Sequence, residues 1–178
     1  MAQREIPDEC KSVWQRLHEA DVLFNRAQYE LFTNCRESIV DLLRIAFRDS
    51  SQYQLAFRVA SLLNDPEQKK TLFPEFLGLA CQPSYVPTIL AARKAALSLS
   101  KEWLLANIEV EAEQVLNWSD DWEFRRFLEL CSLIDTELTI RNAKRATASE
   151  NSDIREAGED FLKDPSPVSI RKAIKHEE

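Results

Sequence analysis

Apolar residues recur at helical spacing through most of the chain. The set Ile39, Leu42, Leu43 and Ala46 follows the i, i+3, i+4, i+7 rule and is typical of one face of an amphipathic helix. No stretch shows the alternation of polar and apolar residues that a half-buried strand requires. The pattern predicts an all-α fold, with helices of about ten to seventeen residues joined by short turns.

The turns between these helices recur at a nearly constant interval. Turn-then-helix signals begin near Ser51, Ser84, Ser119 and Ser152, which are spaced by 33, 35 and 33 residues. Each hairpin has more apolar surface than it can bury alone, so stacking on its neighbours is the expected solution. The interval predicts four hairpins, over residues 35–64, 70–99, 101–134 and 136–164.

The flanking segments are predicted from the same signals. Residues 1–34 are predicted to be N-terminal capping helices, helical over 8–32 with a break near Glu19 to Asp21. Residues 165–178 form a C-terminal tail, loosely held or folded into a short helix. Pro66 and Pro87 fit first helical turns, where proline lacks only a hydrogen bond that would be unmade anyway. Pro74 lies inside the predicted helix 72–81 and is expected either to mark its true start or to kink it.

Side chains on the predicted helices are assigned to the core from their spacing. Val86, Ile89, Leu90 and Leu97 are expected to form the buried face of the helix after residue 85. Trp103 and Trp122 lie on apolar stripes and are expected in the core. Trp118 lies in a turn and is the candidate for an exposed aromatic anchor.

Segments of the predicted hairpins resemble the HEAT-like and armadillo-type helical repeats. Asn151-Ser152-Asp153-Ile154-Arg155-Glu156-Ala157, followed by Phe161-Leu162, resembles the turn and second helix of a HEAT repeat. Phe57 to Leu63 and Ala92 to Leu97 have a similar Arg-x-Ala-x-x-Leu character. The resemblance implies a right-handed superhelix of four to five stacked antiparallel hairpins over residues 35–164. An irregular helical bundle is the alternative.

Composition and charge narrow the classes of function. Only two glycines occur in 178 residues, which disfavours dinucleotide-binding and P-loop folds. A net charge of −7 disfavours nucleic acid as a partner. The start of the chain has no apolar signal segment, and no run of eighteen apolar residues occurs, so a cytoplasmic protein with no membrane contact is expected. The four cysteines, Cys10, Cys35, Cys81 and Cys131, have no metal-binding spacing and are expected to be buried.

Candidate catalytic chemistry is sparse. Neither His18 nor His176 lies in a catalytic or metal-binding motif, so no catalytic residue, metal or cofactor is assigned. Six acids without an intervening basic residue form a candidate docking surface for a basic partner or a cation; a solvated acidic face near helix starts is the simpler interpretation. They are Glu109, Glu111, Glu113, Asp120, Asp121 and Glu123.

The sequence therefore predicts a non-enzymatic scaffold or adaptor that binds another protein. The second helices of stacked hairpins usually form the concave binding face, which makes Arg58, Arg93 and Arg126 candidate groove residues. Trp118, Asp120 and Asp121 are the candidates in the turn. Two alternatives stay open: a HEAT-like enzyme acting on nucleic acid, such as a DNA glycosylase, and a dimeric regulatory helical bundle.

Overall fold

The computed structural model describes residues 7–167, and all regular structure in that range is helical. This confirms the all-α prediction. The short helix suggested for the tail falls on residues 168–178, outside the described range. Ten α-helices are present in residues 7–167: α1 Asp8–Asn34, α2 Ile39–Ala46, α3 Tyr53–Ala60, α4 Pro66–Thr71, α5 Phe73–Cys81, α6 Val86–Ala96, α7 Lys101–Val115, α8 Asp121–Ile134, α9 Thr136–Thr147 and α10 Ser152–Lys163.

The chain divides into two compact units, Met1–Leu42 and Leu43–Glu178. The first contains α1, a single helix of 27 residues. The predicted break near Glu19 to Asp21 is therefore wrong. Side-chain hydrogen bonds one turn apart bridge this region: Gln15 donates to Glu19 at 3.0 Å, and Asn25 donates to Asp21 at 3.0 Å. Such i, i+4 pairs stabilise a helix across a stretch that lacks apolar contacts.

In the second unit the helices begin where the turn chemistry predicts. Pro66 and Pro87 each lie in the first turn of a helix, as expected, and Pro74 marks the start of α5. The side chains of Ser100, Asp120, Asp135 and Asn151 accept hydrogen bonds from backbone N–H groups at the starts of α7, α8, α9 and α10. Each cap satisfies a donor that the helix itself leaves unpaired.

Three pairs of helices at equivalent positions of the predicted hairpins contact one another. We call α2, α5, α7 and α9 the first helices, and α3, α6, α8 and α10 the second helices. First helix α5 contacts α7, second helix α3 contacts α6, and second helix α8 contacts α10. Helix α8 also packs against α5 and α9.

Ion pairs also join first helices with first helices and second helices with second helices, and each connects residues about one predicted hairpin apart in the chain. Among the first helices, Arg44 Nε lies 3.3 Å from Glu75, Lys101 Nζ lies 2.8 Å from Asp135, and Arg141 Nε lies 3.0 Å from Glu109. Among the second helices, Arg93 pairs with Glu129 at 2.6 Å and Arg125 with Asp160 at 3.2 Å. Cross-hairpin pairing of this kind holds successive hairpins in one register.

The buried face of α6 differs from the prediction. Ile89 is buried as expected, but Val86 and Leu90 are 60% and 59% exposed, and Leu97 is also exposed. Ala92 and Ala96 are fully buried instead. Small side chains let α6 approach α5 closely, and that contact turns the large aliphatic side chains outward. Spacing identified an apolar helix but not which of its apolar stripes faces the core.

The cysteines fall into two classes. Cys81 and Cys131 are fully buried, whereas Cys10 is exposed and Cys35 is half-buried. The prediction that all four are buried is therefore wrong for Cys10 and Cys35. Burial raises the pKa of the Cys81 and Cys131 thiols well above the ordinary value, so both stay protonated near neutral pH.

Within residues 7–167, none of the helices combines the length and the apolar character that crossing a bilayer demands.

Candidate functional site

Two adjoining concave regions lie along the second helices α3, α6 and α8. We call the first the basic depression; it has a volume of about 390 Å³ and lies between α3 and α6, with Lys69 of α4 at its edge. We call the second the apolar groove; it has a volume of about 710 Å³ and lies between α6 and α8. Lys94 of α6 and Ser98, which follows α6, line both regions, so the two regions form one continuous surface.

Three cations and no acidic residue line the basic depression. Arg58 of α3, Lys69 and Lys94 form its polar part, while Phe57 and Phe76 contribute to its apolar part. The chain as a whole is acidic, so this local excess of positive charge is a departure from its average. Such a depression favours a negatively charged ligand group that also carries apolar surface.

The apolar groove consists mainly of leucine side chains that the fold leaves exposed. Leu90 of α6, Leu97 at the C-terminal cap of α6 and Leu133 of α8 line it. These three side chains are 59%, 37% and 41% exposed. A contiguous exposed apolar strip of this kind marks an interaction surface more often than single scattered residues do.

Arg93 anchors α6 to α8 beneath this groove. Its Nη2 donates to the Glu129 carboxylate at 2.6 Å and to the backbone carbonyl of Arg126 at 3.4 Å. Its Nε is buried and has no hydrogen-bond partner among residues 7–167. The predicted groove residue Arg93 thus lines the groove, but its positive charge is paired with the Glu129 carboxylate of the same chain.

Trp122 and Arg126 of α8 do not line the apolar groove, so the predicted groove residue Arg126 lies outside it. They lie one turn apart, with the Arg126 guanidinium carbon 5.8 Å from the centre of the Trp122 ring, a cation–π distance. Trp122 is 59% exposed, so its predicted burial is wrong. Because Trp122, Arg126, Glu129 and Leu133 recur at i, i+4, i+7 and i+11, they occupy one stripe of the helix.

Trp118 is not the exposed anchor that its turn position predicts. It is half-buried and packs edge-on against Phe124 and Phe127, with ring centres 5.1 and 5.3 Å apart. The guanidinium carbon of Arg145 lies 4.0 Å from the ring centre and covers its other side. The indole Nε1 is buried without a hydrogen-bond partner among the described residues. Trp118 therefore closes the cluster between α8, α9 and α10.

The acidic residues near the start of α8 stabilise the turn before this helix and its first turn. Asp120 caps α8 by accepting the backbone N–H of Glu123 at 3.0 Å. The buried Glu123 carboxylate in turn accepts the backbone N–H of Asn117 at 2.8 Å. Asp121 is half-buried in the first turn, where a negative charge suits the helix dipole. Binding of a partner by Asp120 and Asp121 stays a prediction.

Two acids of α7, Glu109 and Glu113, are paired with basic residues of α9. Glu109 accepts hydrogen bonds from Arg141 and from Asn142, each at 3.0 Å, and Glu113 is bonded to Arg145. The hydrogen bond from Arg141 lowers the pKa of Glu109 below its ordinary value of 4.5 and raises that of Arg141. These pairs bind two residues of the predicted acidic face, Glu109 and Glu113, to arginines of α9.

The Glu109 pair gives stability a dependence on pH. Because the folded-state pKa lies below the unfolded one, the carboxylate adds stability above about pH 4.5 and loses it as the pH falls through the lowered value. We expect Glu109→Gln to reduce the free energy of unfolding at pH 7 by less than about 1 kcal/mol, because the carboxyl is partly exposed. At pH 3 this difference should shrink.

Urea unfolding of both proteins at the two pH values measures the difference. The control is Glu111→Gln, on the same helix, because Glu111 makes no ion pair with the described residues and should behave alike at both pH values. An equal effect of Glu109→Gln at pH 7 and pH 3 would contradict the role of the pair.

Several groove residues were not identified as site residues from the sequence: Lys94, Leu90, Leu97, Glu129 and Leu133. The sequence does contain a signal for them, because equivalent positions of α6 and α8 are separated by a constant number of residues. Arg93 and Glu129, which pair, are 36 residues apart. The same offset relates Leu97 to Leu133 and Val86 to Trp122. Equivalent positions that are large and apolar in both helices would have indicated a shared exposed stripe.

No family model, curated protein or solved structure matches this chain.

Proposed function

We propose that this chain is a HEAT-like helical-repeat scaffold without catalytic activity, and that the surface along α3, α6 and α8 binds a segment of another protein. The layered contacts of first with first and second with second helices support the repeat interpretation. The ion pairs between residues one hairpin apart support it further. The right-handed superhelix is part of this proposal.

The observation that carries the binding proposal is the exposed leucine strip beside a basic depression. Leu90, Leu97 and Leu133 offer apolar surface that a partner can bury, and Lys94 joins this strip to Arg58 and Lys69. The partner with matching chemistry is a peptide segment that has apolar anchors and carries aspartate or glutamate beside them. Apolar burial supplies the affinity, and charge complementarity selects the sequence and its direction.

A role in nucleic-acid chemistry has less support. The arginines that such a role would use, Arg125, Arg141 and Arg145, are each paired with an acid of the same chain. A phosphate backbone would have to displace those carboxylates before binding. The basic depression offers cations without acids among the described residues, but the aromatic rings that line it, Phe57 and Phe76, are buried and present little ring surface for bases to stack on.

Selection from a random peptide library displayed on phage tests the proposal with a defined probe. We expect the enriched peptides to combine Leu or Phe with Asp or Glu, and to bind the purified chain in fluorescence anisotropy. Lys94→Glu and Leu90→Asp should each weaken binding roughly tenfold or more, which is about 1.4 kcal/mol.

The matched control is Lys144→Glu, which makes the same change of charge at an exposed lysine of α9, a first helix. It should leave affinity within a factor of about two. Enriched peptides without acidic residues, or equal loss in Lys94→Glu and Lys144→Glu, would refute the proposed surface.

A further inference from the structure

Two lysines of the basic depression have no carboxylate partner among the described residues. Lys69 is half-buried and Lys94 is exposed, and neither makes an ion pair with any residue in 7–167. Glu67, the acid of the same short helix as Lys69, is held by Lys70 instead, at 2.7 Å. Because no acidic side chain of the described range lines the depression, the positive charge of both lysines is available to a ligand.

The uncharged polar groups of the depression contribute few hydrogen-bond donors. The Ser61 hydroxyl donates to the backbone carbonyl of Arg58, and the Ser98 hydroxyl donates to that of Ala95, each at 2.7 Å. Both hydroxyl hydrogens are thus used within the chain. An anion in the depression is therefore bound mainly by the lysine ammonium groups, each of which has three N–H donors.

The positive charge of the depression exceeds what one carboxylate neutralises. Lys69, Lys94 and Arg58 place three cations around about 390 Å³. A carboxylate carries one negative charge, whereas a phosphate monoester carries about −1.5 to −2 near neutral pH and has three acceptor oxygens. Ammonium groups attract phosphate as point charges and need no planar partner, unlike the arginine fork. The two lysines alone balance a dianion, so the match does not depend on Arg58.

The groups around the two lysines are compatible with a bound dianion. Glu129, which lines the adjoining apolar groove, is held by Arg93 at 2.6 Å, so its charge is already compensated. Ala91 and Ala95 contribute apolar wall, and a low local dielectric strengthens the attraction between charges. Because Lys94 lines both regions, a phosphate that it binds lies beside the exposed leucines.

We propose that the basic depression binds the phosphate of a phosphorylated serine or threonine in the partner segment, while the leucines of the apolar groove bind an apolar residue beside it. This proposal rests on the proposed function, because it names a modification of the segment that the same surface binds. Phosphorylation of the partner changes its affinity for this chain without any change in the chain itself.

Fluorescence anisotropy with three forms of one selected peptide tests the proposal. The forms carry serine, glutamate or phosphoserine at the acidic position beside the apolar anchor. We expect phosphoserine to bind roughly tenfold or more tighter than serine, and at least about threefold tighter than glutamate. Added salt should reduce the advantage over glutamate, because it screens charges at a surface. Phosphoserine that binds no tighter than glutamate would overturn the proposal.

Lys69→Gln isolates the contact with phosphate, because Lys69 lines the depression but not the apolar groove. It should reduce the preference for phosphoserine over serine roughly threefold to tenfold, and leave the affinity for the serine form within a factor of about two. Lys144→Gln removes the same charge from α9 and should change neither value. An unaltered preference in Lys69→Gln, with native circular dichroism, would contradict the assigned phosphate site.

The serine form distinguishes failure of this proposal from failure of the proposed function. If the serine form binds and Leu90→Asp weakens it, the peptide-binding surface is correct whatever the phosphate contributes. If no form binds, or Leu90→Asp affects none of them, both the surface and the phosphate site are wrong. Vesicles that contain phosphatidic acid test another source of phosphate. Cosedimentation that Lys69→Gln abolishes, without a preference for phosphoserine, would assign the depression to a lipid headgroup and overturn the proposal.

Discussion

Replacing Trp118 by alanine is expected to lower the free energy of unfolding by about 2 to 4 kcal/mol, somewhat less than a fully buried tryptophan would cost. The ring contacts Phe124 and Phe127 edge-on and is covered by Arg145, so its removal opens a gap among α8, α9 and α10. Loss of the buried, unpaired indole N–H offsets part of that cost. Urea unfolding followed by circular dichroism measures the change.

Trp122→Ala is the matched control, because it deletes the same side chain four residues further on. Trp122 is mostly exposed, and its ring contacts the Arg126 guanidinium rather than the core. We expect a loss of stability below about 1 kcal/mol. Equal losses for the two variants would contradict the placement of Trp118 in the cluster and of Trp122 outside it.

The same pair of variants separates stability from binding. If a bound peptide reaches beyond the apolar groove to Trp122, Trp122→Ala should lower the affinity for the acidic peptide selected on the natural chain. Aromatic side chains carry much of the binding free energy at such surfaces. Trp118→Ala should bind that peptide with unchanged affinity under conditions in which it is folded. Fluorescence anisotropy with one labelled peptide provides both values.

Gly158→Ala is expected to destabilise the protein by about 1 to 3 kcal/mol, the range for adding a methyl group where the surrounding structure cannot yield. A Cβ at Gly158 would lie 2.7 Å from the carbonyl oxygen of Ala143, 2.7 Å from the Ala146 Cβ and 2.9 Å from the backbone nitrogen of Thr147. Two of these three atoms belong to the backbone of α9. Helices α9 and α10 would have to separate to admit the methyl group, which would loosen the cluster around Ile154 and Phe161.

Gly78→Ala is the control that removes the effect of helix propensity. Both glycines lie inside helices, where alanine is favoured by about 1 kcal/mol. A Cβ at Gly78 would meet Val115 Cγ1 at 3.3 Å, and this side-chain methyl can move by a few tenths of an ångström. We expect Gly78→Ala to be neutral or stabilising by up to about 1 kcal/mol. Thermal unfolding of both variants gives the comparison, and a stable Gly158→Ala protein would contradict the tight contact of α9 with α10.

Local chemistry explains why most helix boundaries could be predicted from the sequence. Asp120, Asp135 and Asn151 cap helices through hydrogen bonds that span only two or three residues of chain. Proline in a first turn acts over a similarly short range. Local hydrogen bonding also explains why the predicted helix break near Glu19 to Asp21 is wrong. The change from one apolar set to a second set at Val22 suggested a break, but the i, i+4 hydrogen bonds of Glu19 and Asp21 continue the helix.

Contacts between helices account for the errors in the candidate site. Spacing alone placed Leu90 and Leu97 in the core, yet α6 buries Ala92 and Ala96, because small residues allow the closest approach to α5. The sequence pattern likewise favoured Trp122 over Trp118 for burial. The deciding partners, Phe127 and Arg145, come from different helices. Neither choice can be made from the residues of one helix.

By itself the sequence determined the helical class, the positions of the turns and the near-constant interval between hairpins, because these depend on propensity, capping and periodicity within one or two turns. Only the tertiary structure decided which apolar stripe of each helix is buried and which charges are paired. Those outcomes depend on contacts between residues about one hairpin apart, such as Arg93 with Glu129. For this reason the sequence pointed to the acidic turn at Trp118 as a candidate site, whereas the structure points to the leucines and cations along α3, α6 and α8.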